Sequence, residues 1–266
     1  MHPEVMRFLA LLLPLLLATV SKAEEVDLEL VLLVDVSRSM SERELNIQRD
    51  GYAAALRSEE VYQALRRGLL GRIALTYVEW AGGQEVIVPW RAVETREDLA
   101  AFADALTVRF DPGLRRTSIS EALIFGMRTL DTNRFDGLRQ VVDISGDGPN
   151  NLGRPVTRAR NRLLEKGFII NGLPLMTKEG MGAQWHLDGL DIYYQTCVIG
   201  GPGAFVVPVL DWKDFPKAVK RKLVLEIAGH TLPALPSLAQ SKDRDPTDCL
   251  IGEKIWDEFS PYFLQP

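Results

Sequence analysis

The sequence places two carboxylates and three hydroxyls where they could share one ion. Asp35-Val36-Ser37-Arg38-Ser39 follows an apolar run, Gly146-Asp147-Gly148 follows a second one, and Thr117 stands between them just ahead of a helical pattern. Hard oxygen donors of this kind suit Mg²⁺ first, with Mn²⁺ or Ca²⁺ as alternatives. Alternate residues Asp35, Ser37 and Ser39 can point the same way in a loop leaving a strand. Two carboxylates neutralise such an ion, while neutral hydroxyls leave it electrophilic and short of anionic ligands. That donor set favours an acidic group from outside completing the shell. Gly148 is expected to permit a tight turn that keeps Asp147 close to the ion. A plainer reading competes: Ser37, Ser39 and Ser41 could merely cap the following helix, and Asp-x-Ser-x-Ser alone recurs by chance in turns.

The elements that must hold these residues alternate between strands and helices. Leu28–Val34 is apolar but for Glu29, as a parallel strand buried on both faces should be. Ser41–Arg67 reads as one long helix, with Ser41 and Glu44 spaced for a capping box. Ile73–Trp80 is a strand, and Glu85–Trp90 returns antiparallel beyond Gly82-Gly83. Helices are expected at Thr95–Leu106, Ser118–Asp131 and Pro155–Lys166, with strands at Leu138–Ser145 and Phe168–Leu173. A short helix around Leu190–Thr196, a strand at Ala204–Val209 and a helix at Phe215–Ala228 closed by Gly229 complete the pattern. Gly200-Gly-Pro-Gly203 precedes a strand and reads as a turn. The implied fold class is α/β: a doubly wound, mostly parallel sheet with one antiparallel edge strand and helices on both faces. In such sheets ligands bind at the carboxyl ends of the strands, where Asp35 and Asp147 both fall.

With these elements in place, Asp35-x-Ser37-x-Ser39 resembles the metal-ion-dependent adhesion site of von Willebrand factor A domains. Thr117, followed five residues later by Ala122-Leu123, is similar to that family's threonine, and Asp147-Gly148 to its second aspartate. The resemblance implies that Ser37, Ser39 and Thr117 bind the metal directly, and Asp35 and Asp147 directly or through water. It covers roughly Val26 to Gly229. Asp143 is an alternative second aspartate, but it falls inside the strand; Asp147 at the strand's end is preferred. The stretch Cys197-Val-Ile-Gly-Gly-Pro-Gly-Ala-Phe-Val-Val-Pro, with Lys222-Leu-Val-Leu-Glu-Ile-Ala, also resembles an uncharacterised bacterial family of exported A-like domains.

Other function classes find less support. The net charge of −5 comes with no Lys/Arg run, which argues against nucleic acid as a partner. No GxSxG elbow, P-loop or well-placed GxGxxG is present. Asp35 also resembles the nucleophile of haloacid-dehalogenase-type phosphatases, but the acid/base aspartate expected two residues on is Ser37, so a metal-dependent phosphate-ester hydrolase is the alternative rather than the first reading. A scaffold with a vestigial site is a third. Trp80, Trp90 and Trp212 read as packing, and Asn150 and Asn151 as loop stabilisers.

Arg7 followed by the apolar Phe8–Val20 and by Ser21-Lys22-Ala23 has the layout of a secretory signal peptide; the run is short for a membrane span, the competing reading being an uncleaved anchor. The expected organisation is a signal peptide at 1–23, an A-like domain at 24–229 and a C-terminal arm at 230–266 packing on it. A secreted or periplasmic protein without a membrane span in its mature chain follows. Cys197 and Cys249 then invite one disulfide, against the alternative of two buried thiols. The functional expectation is an exported module, not an enzyme, that uses a divalent cation to capture an Asp or Glu carboxylate of a protein partner.

Overall fold

The computed structural model describes residues 23–106, 116–177, 186–229 and 245–263. The segment read as a signal peptide, up to residue 22, and residues 230–244 of the expected arm lie outside these. The described elements run, in chain order, β1 (Glu24–Val26), β2 (Leu28–Asp35), α1 (Glu42–Leu56), α2 (Glu59–Arg66), β3 (Ile73–Trp80), β4 (Gln84–Val93), α3 (Arg96–Ala105) and α4 (Ile119–Thr132). Then follow β5 (Phe135–Gly137), β6 (Gln140–Gly146), α5 (Val156–Glu165), β7 (Ile169–Pro174), α6 (Leu190–Tyr193), α7 (Phe215–Ala228) and α8 (Ile251–Phe263).

Five strands form one sheet in the order β4-β3-β2-β6-β7, parallel except for β4. The apolar run of β2 is explained by its place at the centre: all eight residues are buried. Side chains alternate across a strand, and the core divides accordingly. Leu28, Leu30, Leu32 and Val34 pack with α1, α2, α3 and α7 on one face, through Tyr52, Leu65, Phe102 and Phe215. Val31 and Leu33 pack with α4, α5, α6 and α8 on the other, through Leu123, Leu163, Tyr193 and Ile255. The register sets Asp35 opposite Trp80, so β2 and β3 end together.

Two expectations are corrected, and one small sheet is added. The helix foreseen over Ser41–Arg67 is two helices, because the chain turns at Arg57 and Ser58 restarts it, its hydroxyl accepting from Val61 N. Ala204–Val209 is not a regular strand; it joins the sheet only through isolated bridges from Val206 to Gly172 and from Val209 to Leu175. A separate two-stranded parallel sheet, β1 with β5, lay below recognition because each strand has three residues. The capping box at Ser41 and Glu44 forms, and Gly229 ends α7 in the left-handed conformation at φ 70°. The turn at 200–203 holds Gly201 and Gly203 at positive φ.

Cys197 and Cys249 are bonded, with Cα atoms 5.4 Å apart. The bridge ties α8 to a π-helical turn at Tyr194–Val198 that continues α6. Among the described residues no helix is long and apolar enough to cross a membrane.

Candidate metal centre

Four of the five residues singled out form one hydrogen-bonded chain at the carboxyl ends of β2 and β6. Asp35 closes β2 with a fully buried carboxylate, whose Oδ1 accepts from Ser37 N at 2.7 Å. Ser37 and Ser39 hydroxyls lie 2.9 Å apart, and Ser39 donates to Asp147 Oδ1 at 2.9 Å. Gln48, buried on α1, donates to the Asp35 carbonyl at 3.0 Å and so fixes the strand end from below. The fifth residue, Thr117, reaches the same edge through the backbone. Ser118 N bonds Ala81 O at 3.2 Å, directly after Trp80, and Asn151 clasps Thr117 by accepting from its N–H at 3.0 Å and donating to its carbonyl at 2.8 Å. The Thr117 hydroxyl makes no hydrogen bond to the other four.

The residues that position this edge were only partly visible beforehand. Arg116, immediately before Thr117, has φ 74°, a conformation that costs a non-glycine residue energy and persists only under constraint. The constraint is supplied locally: its guanidinium bonds Asn151 and stacks 3.6 Å over the Trp256 ring of α8. Asn150 accepts from Ser120 N at 2.9 Å and donates to Glu253 at 2.7 Å, so both asparagines stabilise loops. Trp212 is also structural, donating to Glu44 Oε1 at 2.9 Å and thereby fastening the capped end of α1. Asp143 faces away from the site, as its place inside the strand requires; it pairs with Lys222 of α7 at 2.5 Å.

The glycine that matters at this edge is Gly146 rather than Gly148. A Cβ on Gly148 would meet nothing, and its backbone is not left-handed. A Cβ on Gly146 would lie 2.8 Å from Tyr194 Oη, 2.9 Å from Asp35 Oδ2 and 3.2 Å from the Trp80 ring. The bare backbone of Gly146 is what lets Asp35 and the π-helical Tyr194 converge behind the loop. No sequence motif marks Tyr194; the turn carrying it reads only as irregular helix.

Two buried carboxyls share this edge. Burial pushes the Asp35 carboxyl well above the usual carboxylate range, and repulsion from Asp147 adds to this. Burial likewise raises Asp147, partly offset by the Ser39 hydrogen bond. Asp35 Oδ2 is buried and has no hydrogen-bond partner, an arrangement costly enough that it calls for a reason. Among the described residues no three His, Cys, Asp or Glu side chains gather to hold a metal; the donors present are two carboxylates and neighbouring hydroxyls. Such oxygens suit a hard divalent ion with water or an outside carboxylate completing its shell.

Comparison with known proteins bears on the fold. Solved structures share the fold at low identity. Proximal thread matrix protein 1 from the mussel byssus matches with TM-score 0.55 and 16% identity over 78% of this chain and 49% of that one. A von Willebrand factor type A protein from Catenulispora acidiphila matches with TM-score 0.53 and 14% identity over 77% and 43%. The pilus adhesin SpaC from Lactobacillus rhamnosus GG gives TM-score 0.56 and 12% identity over 77% and 31%. This chain therefore spans half or less of the length of these structures. One structure of the byssus protein, at TM-score 0.50, is described as having a zinc-occupied adhesion motif. No curated protein matches the sequence. A family model matches residues 25–231, most of the chain. With the von Willebrand factor A fold shared by its structural neighbours, the chain belongs to the family described as protein of unknown function DUF1194.

Proposed function

We propose that this protein is an exported binding module. It holds one divalent cation, Mg²⁺ before Mn²⁺ or Ca²⁺, at Asp35, Ser37, Ser39, Thr117 and Asp147, and presents it to an Asp or Glu carboxylate of a protein partner. The observation that carries the reading is the buried, unpartnered Asp35 Oδ2 beside the Ser37–Ser39–Asp147 chain. A cation there satisfies that oxygen and offsets the cost of burying two carboxylates. Shared fold with a pilus adhesin and with a byssus protein solved with zinc in its adhesion motif supports binding through such an ion. The disulfide supports an oxidising compartment. The oxygen ligands gathered at this edge support capture of a carboxylate by the ion as the role.

Calorimetric titration with Mg²⁺, Mn²⁺ and Ca²⁺ tests the proposal. One ion should bind the parent protein and none should bind Asp35→Ala or Ser37→Ala. Asp35→Asn should also melt higher than the parent in EDTA, since it removes a buried charge that only the metal compensates. Equal ion binding by parent and variants would overturn the assignment.

A further inference from the structure

The loop that clasps Thr117 leads directly into a second, differently built feature. Between α4 and α5 lies a groove of about 440 Å³ lined by Glu121, Arg154, Arg158 and Arg162. Arg158 and Arg162 are spaced four residues apart on one face of α5, about 6 Å from each other along its axis, and Arg154 lies just before the helix starts. Arg154 is committed to Glu121 through two hydrogen bonds of 2.7 and 3.1 Å. Arg158 and Arg162 are exposed and have no ion-pair partner among the described residues. The other cations of this stretch are engaged elsewhere: Lys166 after α5 pairs with Asp131 at 2.9 Å, and Arg160 donates to Thr196 O.

We infer that this groove is an anion-recognition surface that docks an acidic segment of a protein partner in extended conformation. The spacing supplies the argument. Alternate residues of an extended chain lie about 6–7 Å apart on the same side, close to the separation of Arg158 from Arg162. Acidic residues at every second position can therefore meet successive guanidiniums, each able to grip a carboxylate through two N–H groups. The Arg154–Glu121 pair holds the upper end of the groove rigid without consuming the lower two cations. The groove starts three residues beyond Asn151, which clasps Thr117. That continuity rests on the metal reading in one respect: it assigns the carboxylate at the metal and those along α5 to the same partner. Two free cations on a net acidic chain suit a short acidic segment better than a long polyanion, which the rest of the surface would repel.

The experiment uses the full protein and a fluorescein-labelled peptide of alternating Glu and Ser, with a Lys-Ser peptide as control, read by anisotropy. In EDTA and low salt the Glu-Ser peptide should bind the parent, with affinity falling as NaCl rises. Arg158→Glu with Arg162→Glu should weaken it by about tenfold or more, because exposed pairs are individually small and reversal changes attraction into repulsion at two positions. Both residues are exposed, so unchanged melting of the double variant is expected and checks its fold. Mg²⁺ should tighten binding to the parent but not to Asp35→Ala. If Mg²⁺ has no effect while the arginine dependence persists, the groove stands and the metal reading fails. Equal peptide binding by parent and double variant, or arginine-dependent binding of heparin or anionic vesicles without binding of the peptide, overturns the proposal.

Discussion

Replacing Glu226 with Gln should flatten the dependence of stability on pH between about 5 and 7. Behind the sheet, Lys222 Nζ lies 2.5 Å from Asp143 and 2.6 Å from Glu226, and all three side chains are almost wholly buried. Asn171 adds a 2.9 Å hydrogen bond to Glu226 and accepts from Phe205 N. One ammonium cannot neutralise two carboxylates, so the cluster carries a surplus negative charge whenever both are ionised. Burial and the Asp143 charge accordingly push the Glu226 carboxyl up from 4.5 to about 7, against the opposing pull of Lys222. Between those values the folded protein binds more proton than the unfolded chain, so stability is greatest below the unfolded pKa and declines as pH rises through the folded one. The displacement corresponds to about 3 kcal/mol across the window. Glu226→Gln mimics the protonated form and leaves a one-to-one Lys222–Asp143 pair, so its urea midpoint should exceed the parent's at pH 8 and approach it at pH 5. Lys222→Met is the converse perturbation. It strands the carboxyls without a cation and should cost about 3–5 kcal/mol near neutral pH. Urea denaturation at pH 5, 6, 7 and 8 measures all three proteins. Parallel pH profiles for parent and Glu226→Gln would refute the charge argument.

Two other outcomes follow from geometry. Gly146→Ala should destabilise the protein by about 1–3 kcal/mol and weaken cation binding, because its methyl would press on Tyr194 Oη and Asp35 Oδ2 at under 3 Å; a melt and a metal titration check both effects, and an unchanged melt would show that this corner is loosely packed. Cys197→Ser with Cys249→Ser should lower stability by about 4 kcal/mol on the chain-entropy account, given a separation of 52 residues, measured by urea denaturation beside the oxidised parent.

The strands and most helices could be read from the chain because each carries a local signal. β2 is apolar on both faces since it is central, Ser41 and Glu44 form the capping box their spacing suggests, and Gly229 stops α7. The break at Arg57 and Ser58 was hidden because Glu59–Arg66 continues a helical composition. At the proposed metal edge, Asp35, Ser37 and Ser39 form a contiguous motif, and Asp147, placed after a strand, joins them in one hydrogen-bonded chain; Thr117 is proposed from its place before a helix. What could not be read were contacts between segments distant in sequence. Nothing near Arg116 announces Trp256, nothing near Gly146 announces Tyr194, and Lys222 gives no hint that it will be shared by Asp143 and Glu226. Gly148 looked like the necessary glycine because it follows the aspartate; the crowding that requires a bare backbone lies at the residue before it.

The family match ends at residue 231, yet α8 begins at Ile251 and reaches back to the proposed metal edge, setting Trp256 on Arg116 and Glu253 on Asn150. A chain cut at the end of the matched segment would keep every proposed ligand and lose the brace on the loops that carry Thr117 and Asn150. Any transplant of this site into another scaffold must therefore carry the C-terminal helix and its cysteine, and be folded where that cysteine can oxidise.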